Sequence, residues 1–249
     1  MSKKPLFLLT NDDGISAPGI KALEEAVRPF ADVIVVAPAK EKSATSHSIS
    51  LHDSMELKKI DENHYSLDGT PADCALFALY RLCPQKPDLV LSGINYGANL
   101  GQDTLYSGTV GAAMTAVELG VSSIAFSLAG RKSPVHFESA QKVITEILDR
   151  KDWLETSKNK VLNINIPNLP FDEILGYRAC PLGFRTWKDQ FADDESRPNH
   201  YRYSSVPPLD EGAENLDTMS CREGYITLSV LQPSLYDQTS TQNLASLIE

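Results

Sequence analysis

Short apolar runs alternate with amphipathic segments along most of the chain. Runs of this length and composition are typical of strands buried on both faces of a parallel sheet. They lie at Leu6–Thr10, Val33–Ala37, Asp88–Ser92, Ile124–Leu128 and Val161–Ile166. The intervening segments carry apolar residues at helical spacing, as Ile20, Leu23 and Val27 do. Strands that alternate with helices predict a largely parallel sheet with right-handed crossovers.

Some of the intervening segments carry more specific signals. Met55–Ile60 and His64–Leu67 alternate like the strands of a small hairpin. The run Thr70-Pro71-Ala72-Asp73 predicts the start of a helix, because threonine can cap it, proline suits its first position and the aspartate completes a capping box. A helix rich in small residues is predicted over Thr109–Leu119.

The C-terminal part of the chain has a different pattern. Residues 188–216 are polar and show no period, which predicts an extended arm or a long loop. Tyr225–Leu231 then alternates like a strand. A loop of this length in a compact domain is usually functional or engaged with a partner.

Composition and charge narrow the possible classes of protein. The 249 residues include 23 Lys and Arg against 33 Asp and Glu, a net charge of -10. This charge argues against binding a nucleic-acid polymer along its backbone. The four cysteines form no CxxC pair, so reduced thiols are expected rather than a zinc ribbon or a disulfide scaffold. No apolar run approaches the ~18–20 residues of a membrane span, and we expect a cytoplasmic protein.

Two adjacent carboxylates, Asp12 and Asp13, follow the first predicted strand. In an open parallel sheet, ligands bind beyond the carboxyl ends of the strands. Neighbouring carboxylates repel each other unless a cation or a proton intervenes, so a site for a hard divalent cation is one interpretation. The other is an Asx-type turn, since Asn, Asp and Gly all favour turns.

Polar residues also follow the next two predicted strands. Residues 40–48 contain several hydroxyls and two lysines. A hydroxyl could bind a metal and a lysine could bind an anion, or the segment could be a plain solvated loop. Residues 92–101 offer the amide oxygens of Asn95 and Asn99. The glycines of this second segment would let the backbone approach a ligand, or would make a plain turn.

A fourth segment with candidate binding groups is Tyr106-Ser107-Gly108-Thr109, at the start of a predicted helix. Free backbone N–H groups and the helix dipole suit such a start to phosphate, although a plain Ser or Thr cap is commoner. All four segments would meet at one edge of the sheet. Two carboxylates, a hydroxyl, an amide oxygen and an anion-binding helix start together predict a metal-dependent phosphoester site that uses Mg²⁺ or Mn²⁺.

The same motifs resemble, in their order along the chain, those of the SurE family of survival protein E nucleotidases and acid phosphatases. The matching blocks are Leu8-Leu9-Thr10-Asn11-Asp12-Asp13-Gly14, Val35-Val36-Ala37-Pro38, Asp68-Gly69-Thr70-Pro71-Ala72-Asp73-Cys74, Ser92-Gly93-Ile94-Asn95 and Tyr106-Ser107-Gly108-Thr109-Val110. The resemblance implies an α/β fold, with a Rossmann-like, mostly parallel sheet, flanking helices and an extended C-terminal arm or hairpin. A single SurE-like domain would span residues 1–249, with a core at 1–186 and the arm and closing strand at 187–249.

The resemblance also implies an activity and the residues that carry it. The activity is hydrolysis of nucleoside 5′- and 3′-monophosphates with one divalent ion per subunit, Mg²⁺ or Mn²⁺. Matched by motif position, the site residues are Asp12 and Asp13 as catalytic residues and metal ligands, Ser43 and Asn95 as further ligands, and Ser107, Gly108 and Thr109 at the phosphate, with Asn99 close by. The family assembles through a swapped C-terminal arm, so we expect a homodimer or homotetramer.

The expected mechanism is attack of an activated water on phosphorus, because Asp12 and Asp13 would be poor nucleophiles while they hold a cation. Three alternatives stay open. The protein could be a broad-specificity acid phosphatase or exopolyphosphatase, a nucleotide-binding sensor without turnover, or a structural protein whose glycine loops serve only folding. The bare carboxylate pair argues against a sensor, because binding phosphate needs positive groups.

Overall fold

The computed structural model describes residues 4–130 and 133–248, which form a nine-stranded sheet and a separate two-stranded sheet. The strands are β1 (Leu6–Thr10), β2 (Asp32–Pro38), β3 (Leu57–Lys59), β4 (His64–Leu67), β5 (Leu89–Tyr96), β6 (Ser123–Ala129), β7 (Val161–Pro167), β8 (Tyr177–Ala179), β9 (Phe184–Asp193), β10 (Tyr201–Glu211) and β11 (Ile226–Leu231). The large sheet has the order β3-β4-β2-β1-β5-β6-β7-β11-β8. Its central strands are parallel, whereas β3 runs antiparallel to β4 and β11 runs antiparallel to β7. The mostly parallel sheet predicted from the sequence is confirmed.

Helices cover both faces of this sheet. They are α1 (Pro18–Val27), α2 (Pro71–Phe77), α3 (Gly108–Glu118), α4 (Phe137–Asp149), α5 (Lys151–Thr156), α6 (Asp217–Glu223) and α7 (Gln238–Ala245). Helix α1 packs beside α4, and α2 packs beside α3. Successive strand residues point to opposite faces, so Leu9 and Val35 join the core under α1 and α4, while Leu8 and Val36 join the core under α2. None of the described helices is long and apolar enough to cross a bilayer.

The order of the strands reverses between β1 and β5. From β1 the chain moves outward to β2 and then β4, and it returns to the other side of β1 as β5. The two neighbours are in register with Thr10 opposite Ser92. A reversal of this kind opens a crevice beyond the carboxyl ends of the two strands, which is where open α/β sheets bind ligands.

The start of α2 has the capping box that the sequence predicts. Asp73 donates its backbone N–H to Thr70 Oγ1 at 3.1 Å, and the Asp73 carboxylate accepts the Thr70 N–H at 2.9 Å. The same carboxylate accepts the backbone N–H and the hydroxyl of Ser50 at 3.0 and 2.8 Å. Asp73 therefore ties residues 40–50, which follow β2, to the body of the protein.

Strand β5 is longer than predicted, because it continues through Tyr96 rather than ending at Ser92. Its pairing with β6 shifts register between Ser92 and Asn95. Gly93 lies inside the shift with φ +134°, and a Cβ there would sit 2.3 Å from the carbonyl oxygen of Phe126. The shift therefore requires glycine, and it lets the strand resume and carry Asn95 to the edge of the sheet.

The C-terminal arm is a hairpin rather than a loop. Strands β9 and β10 pair with each other in antiparallel fashion and form the two-stranded sheet. We call these two strands the arm hairpin. The chain then returns through α6 to β11, which pairs with β7 in the large sheet. The predicted closing strand is thus confirmed, whereas the short elements α5, α6, α7 and β8 were not predicted.

Candidate active site

The turn after β1 is closed by Asn11. Its side chain donates to the carbonyl oxygen of Gly14 at 3.0 Å and accepts the Gly14 N–H at 3.2 Å. Gly14 has φ +98°, a conformation that glycine adopts without strain. Asn11 therefore makes the Asx-type contacts of the turn, and Asp12 and Asp13 contact other elements.

Asp12 is buried against the start of α3. The residue is 4% exposed, and its Oδ1 accepts the hydroxyl of Thr109 at 2.5 Å. Burial raises the pKa of Asp12 to about 6, an effect that the Thr109 hydrogen bond opposes and the neighbouring charge of Asp13 increases. A buried, ionised carboxylate with a second carboxylate beside it is electrostatically unfavourable unless a cation or a proton is bound.

Asp13 reaches across the crevice to β5. Its Oδ2 accepts the backbone N–H of Tyr96 at 3.1 Å. The adjacent Asn95 donates its amide nitrogen to the carbonyl oxygen of Gly97 at 2.9 Å. This contact orients the amide and leaves its oxygen as the atom that can bind a cation. The structure therefore brings the predicted ligands Asp13 and Asn95 to the same strand end.

The loop that carries Ser43 crosses the start of α3. Lys42 donates its backbone N–H to the carbonyl oxygen of Asp12 at 2.8 Å, and Ser46 donates to that of Tyr106 at 3.0 Å. Ser43 itself is exposed, and its hydroxyl donates to Glu41 at 2.7 Å. A hydroxyl that donates its proton keeps its lone pairs for a cation. Ser43 thus lies one residue from a direct contact with Asp12.

Helix α3 begins at the centre of this arrangement. Ser107 is its N-cap, and its Oγ accepts the N–H of Val110 at 3.1 Å. A Cβ on Gly108 would lie 3.0 Å from atoms of Asp12, Pro71 and Thr45, so the helix start approaches the turn, α2 and the Ser43 loop closely. The Ser107 side chain acts as an ordinary cap, while the first-turn N–H groups form the part suited to an anion.

Asn99 has different neighbours from the other predicted site residues. Its amide donates to Ser127 Oγ at 2.8 Å, and its backbone N–H donates to Asn165 Oδ1 at 2.8 Å. Its carbonyl oxygen accepts Asn163 and Asn165 side chains at 2.9 and 3.0 Å. These buried asparagines lie on β7 and were not singled out from the sequence. In the sequence they are marked only as two polar residues at alternate positions within the apolar run Val161–Ile166.

The donors at this edge of the sheet fit a hard divalent cation. Within residues 4–130 and 133–248 there is no cluster of three or more His, Cys, Asp or Glu that could hold a metal. A cation would therefore be held by the two carboxylates together with neutral oxygens from Ser43 and Asn95. An all-oxygen set of this kind suits Mg²⁺ or Mn²⁺ rather than zinc.

Comparison with known proteins gives consistent matches. Residues 7–189 match the family described as Survival protein SurE. The 5′-nucleotidase SurE of Actinobacillus succinogenes is 38% identical over 246 residues, which cover 98% of each chain. The 5′-nucleotidase SurE of Vibrio vulnificus is 42% identical over 236 residues, which cover 93% of this chain and 91% of that one.

The fold agrees with these sequence matches. The crystal structure of the SurE protein from Aquifex aeolicus has a TM-score of 0.85 with this structure at 38% sequence identity, and the match covers 98% of this chain and 100% of that one. Fold, motifs and sequence identity thus agree over nearly the whole length, and the chain belongs to the SurE family.

Proposed function

We propose that this protein is a metal-dependent nucleotidase that hydrolyses nucleoside 5′- and 3′-monophosphates to the nucleoside and phosphate. The contact between Asp12 and Thr109 carries the proposal. It joins a carboxylate suited to a cation with the first turn of a helix suited to a phosphate. A cation and a phosphate bound at these two places would be direct neighbours, as metal-assisted hydrolysis of a phosphate ester requires. The relatives named 5′-nucleotidase support 5′-monophosphates as substrates.

The residues of the chain have separate roles in this reaction. Asp12, Asp13, Ser43 and Asn95 would hold one Mg²⁺ or Mn²⁺ ion. When bound, the ion supplies a Lewis acid that activates water for attack and neutralises charge on the phosphate. The first-turn N–H groups of Gly108 and Thr109 would orient the phosphate, and the α3 dipole favours its negative charge. Holding the phosphate beside the cation removes much of the entropic cost of attack.

The negative net charge of the protein is compatible with an anionic substrate. Charge matching is needed only where the phosphate binds, and there a divalent cation would offset the charge of the two carboxylates and present positive charge directly to the phosphate. A pocket that lacks the cation would repel a monophosphate. We therefore expect substrate binding as well as turnover to depend on the metal.

A substrate panel tests the proposal. Phosphate release would be measured from the common 5′- and 3′-mononucleotides, from p-nitrophenyl phosphate and from short polyphosphates, with Mg²⁺, with Mn²⁺ and with EDTA. We expect turnover of mononucleotides that EDTA abolishes and added metal restores. Equal efficiency on p-nitrophenyl phosphate or polyphosphate would indicate a broad phosphatase. Metal-dependent binding of nucleotide without product would indicate a sensor.

We further propose that the protein assembles as a homodimer or homotetramer through its arm hairpin and acts in the cytoplasm. Large apolar side chains are exposed along the hairpin, among them Phe184, Phe191 and Tyr201. An isolated two-stranded ribbon is marginally stable in water, so a second chain that covers these side chains would stabilise it. The four cysteines are free thiols, as is usual in a reducing compartment.

A further inference from the structure

A short 3-10 turn, Gly101–Leu105, joins the end of the glycine-rich segment to the start of α3. Asp103 lies at its centre. The backbone N–H of Asp103 donates to the carbonyl oxygen of Leu100 at 3.1 Å, and its own carbonyl oxygen accepts the N–H of Tyr106 at 3.0 Å. Tyr106 directly precedes Ser107, the N-cap of α3. A displacement of this turn would therefore displace the helix start that is suited to phosphate.

The arm hairpin holds the turn by its side chains. Asp103 accepts Arg185 Nη1 on one carboxylate oxygen at 2.8 Å and Trp187 Nε1 on the other at 2.7 Å. Arg185 also donates its Nε to Asp210 at 2.8 Å, so one guanidinium links both hairpin strands to the turn. The side chains of Arg185, Asp103 and Asp210 are only 13%, 14% and 12% exposed. Gln102 adds two hydrogen bonds to the Arg185 backbone, at 3.0 and 3.3 Å.

A second contact fixes the first residue of the turn. The buried carboxylate of Asp217, in α6, accepts the N–H of Gly101 at 2.9 Å, that of Gly183 at 2.6 Å and that of Thr218 at 2.8 Å. Gly101 has φ +54°, and a Cβ there would lie 2.4 Å from the carbonyl oxygen of Gly183. The base of the arm, α6 and the turn are thus packed backbone against backbone.

We propose that Asp103, Arg185 and Trp187 are positioning residues for phosphate: the arm hairpin holds the Gly101–Leu105 turn, and the turn sets the position of the α3 start. The inference rests on the proposed function, because it assigns the phosphate to that helix start. Of the expected metal ligands, Asp12 contacts the α3 start, through Thr109, whereas Asp13 is held by the backbone of Tyr96 on β5. Loosening the turn should therefore weaken phosphate binding much more than cation binding.

Substitution of Asp103 tests this separation. In Asp103→Asn the amide nitrogen cannot accept a hydrogen bond, so either Arg185 or Trp187 loses its partner. We expect the dissociation constant of inorganic phosphate, measured by calorimetry with Mn²⁺ present, and the KM for a mononucleotide to rise about tenfold, since small misplacements of a binding group are costly. The affinity for Mn²⁺ alone should stay within about twofold of the wild-type value if the site is otherwise intact.

Two further variants make the test decisive. Trp187→Phe keeps an aromatic ring but removes the indole N–H donor and part of the ring surface, so it should raise the same two constants by less. It serves as the test by itself if Asp103→Asn does not fold. Arg197→Gln is the control. It breaks the ion pair of Arg197 with Asp194 at 2.9 Å, which lies in the segment that connects the two strands of the arm hairpin, and it should leave phosphate affinity unchanged.

Three results would overturn the proposal. They are unchanged phosphate affinity in folded variants of Asp103 and Trp187, an equal loss in Arg197→Gln, or a parallel loss of Mn²⁺ affinity, which would indicate a general structural role. Failure of the proposed function looks different, because the wild-type protein itself would then release no phosphate. In that case, the effect of the Asp103 and Trp187 substitutions on phosphate affinity would still test their positioning role.

Discussion

Three consecutive residues have different roles in the turn after β1. Asn11 closes the turn through its contacts with Gly14, Asp12 is buried against Thr109, and Asp13 binds the backbone of Tyr96. An amide can both donate and accept, whereas an ionised carboxylate only accepts. The choice of one amide and two carboxylates therefore separates the structural role of Asn11 from the cation-binding role that we propose for Asp12 and Asp13.

A histidine away from this site makes stability depend on pH. His64, in β4, contacts Glu24 at 2.9 Å and Asp61 at 2.7 Å. Partial burial lowers the pKa of His64, but its hydrogen bonds to Glu24 and Asp61 and their charges outweigh this effect, so the pKa lies above its ordinary value. The protonated ring thus stabilises the fold below about pH 6.5, and this contribution is lost as the pH rises through the raised pKa.

Urea unfolding of His64→Gln at about pH 6 and about pH 9 tests this sign. The substitution should lower the free energy of unfolding more at the lower pH, because only there does the wild-type protein have the full ion pairs. His52→Gln, at an exposed loop position, is the matched control and should show no such difference. An equal effect of His64→Gln at both pH values would contradict the assignment.

At the scale of elements, α2 depends on one carboxylate. Asp73 is 2% exposed and accepts N–H groups from Thr70 and Ser50. Asp73→Ala would leave both donors without a partner, so we expect a loss of at least ~2 kcal/mol in the free energy of unfolding. The measurement is chemical denaturation of the folded variant.

The control is Asp237→Ala. Asp237 is the N-cap of α7, and its carboxylate likewise accepts a first-turn contact, the N–H of Ser240 at 3.0 Å. Helix α7 has no buried residues, so loss of its cap should cost less than ~0.5 kcal/mol. Similar losses in the two variants would show that the cap of α2 is no more important than an exposed one.

The strands and helices of the core could be predicted because their signals are local. Strand β1 has its predicted bounds, and the capping box at Thr70 marks α2. The extension of β5 could not be predicted, because it depends on Gly93 fitting against Phe126, a contact between distant residues. The pairing of β9 with β10 could not be predicted either, since most of the described side chains in these two strands are exposed and their residues show no period of two.

The candidate site was predictable to a similar extent. Motif order placed Asp12, Asp13, Asn95 and the α3 start at one edge of the sheet, and the structure brings them together. Asn163 and Asn165, which hold the Asn99 backbone, were missed because polar residues inside an apolar strand do not reveal their partners. Their role depends on the parallel pairing of β7 with β6, which brings them beside residues distant in sequence.

At the scale of the whole molecule, the exposed face of the arm hairpin predicts assembly. Phe191 is 73% exposed and packs edge-on against Tyr203, with ring centroids 5.6 Å apart. If a second chain covers this pair, Phe191→Ser should raise the dissociation constant at least about tenfold, since burying a phenylalanine contributes ~1.5–3 kcal/mol.

Light scattering over a dilution series measures this effect. Leu235→Ser is the control, because Leu235 is 92% exposed and lies outside the hairpin. The control should keep the wild-type mass at every concentration. A wild-type protein that stays monomeric throughout, or equal effects of the two substitutions, would contradict assembly through the hairpin.

The central claim is that the Asp12–Asp13 turn holds the cation that acts on the phosphate. The most direct test is phosphate release from a nucleoside monophosphate with Mn²⁺ by Asp12→Asn, beside Asp53→Asn as an exposed acidic control. We predict that Asp12→Asn keeps its circular dichroism spectrum but loses at least about a thousandfold in rate, while the control retains full activity. Wild-type turnover by folded Asp12→Asn would contradict the claim.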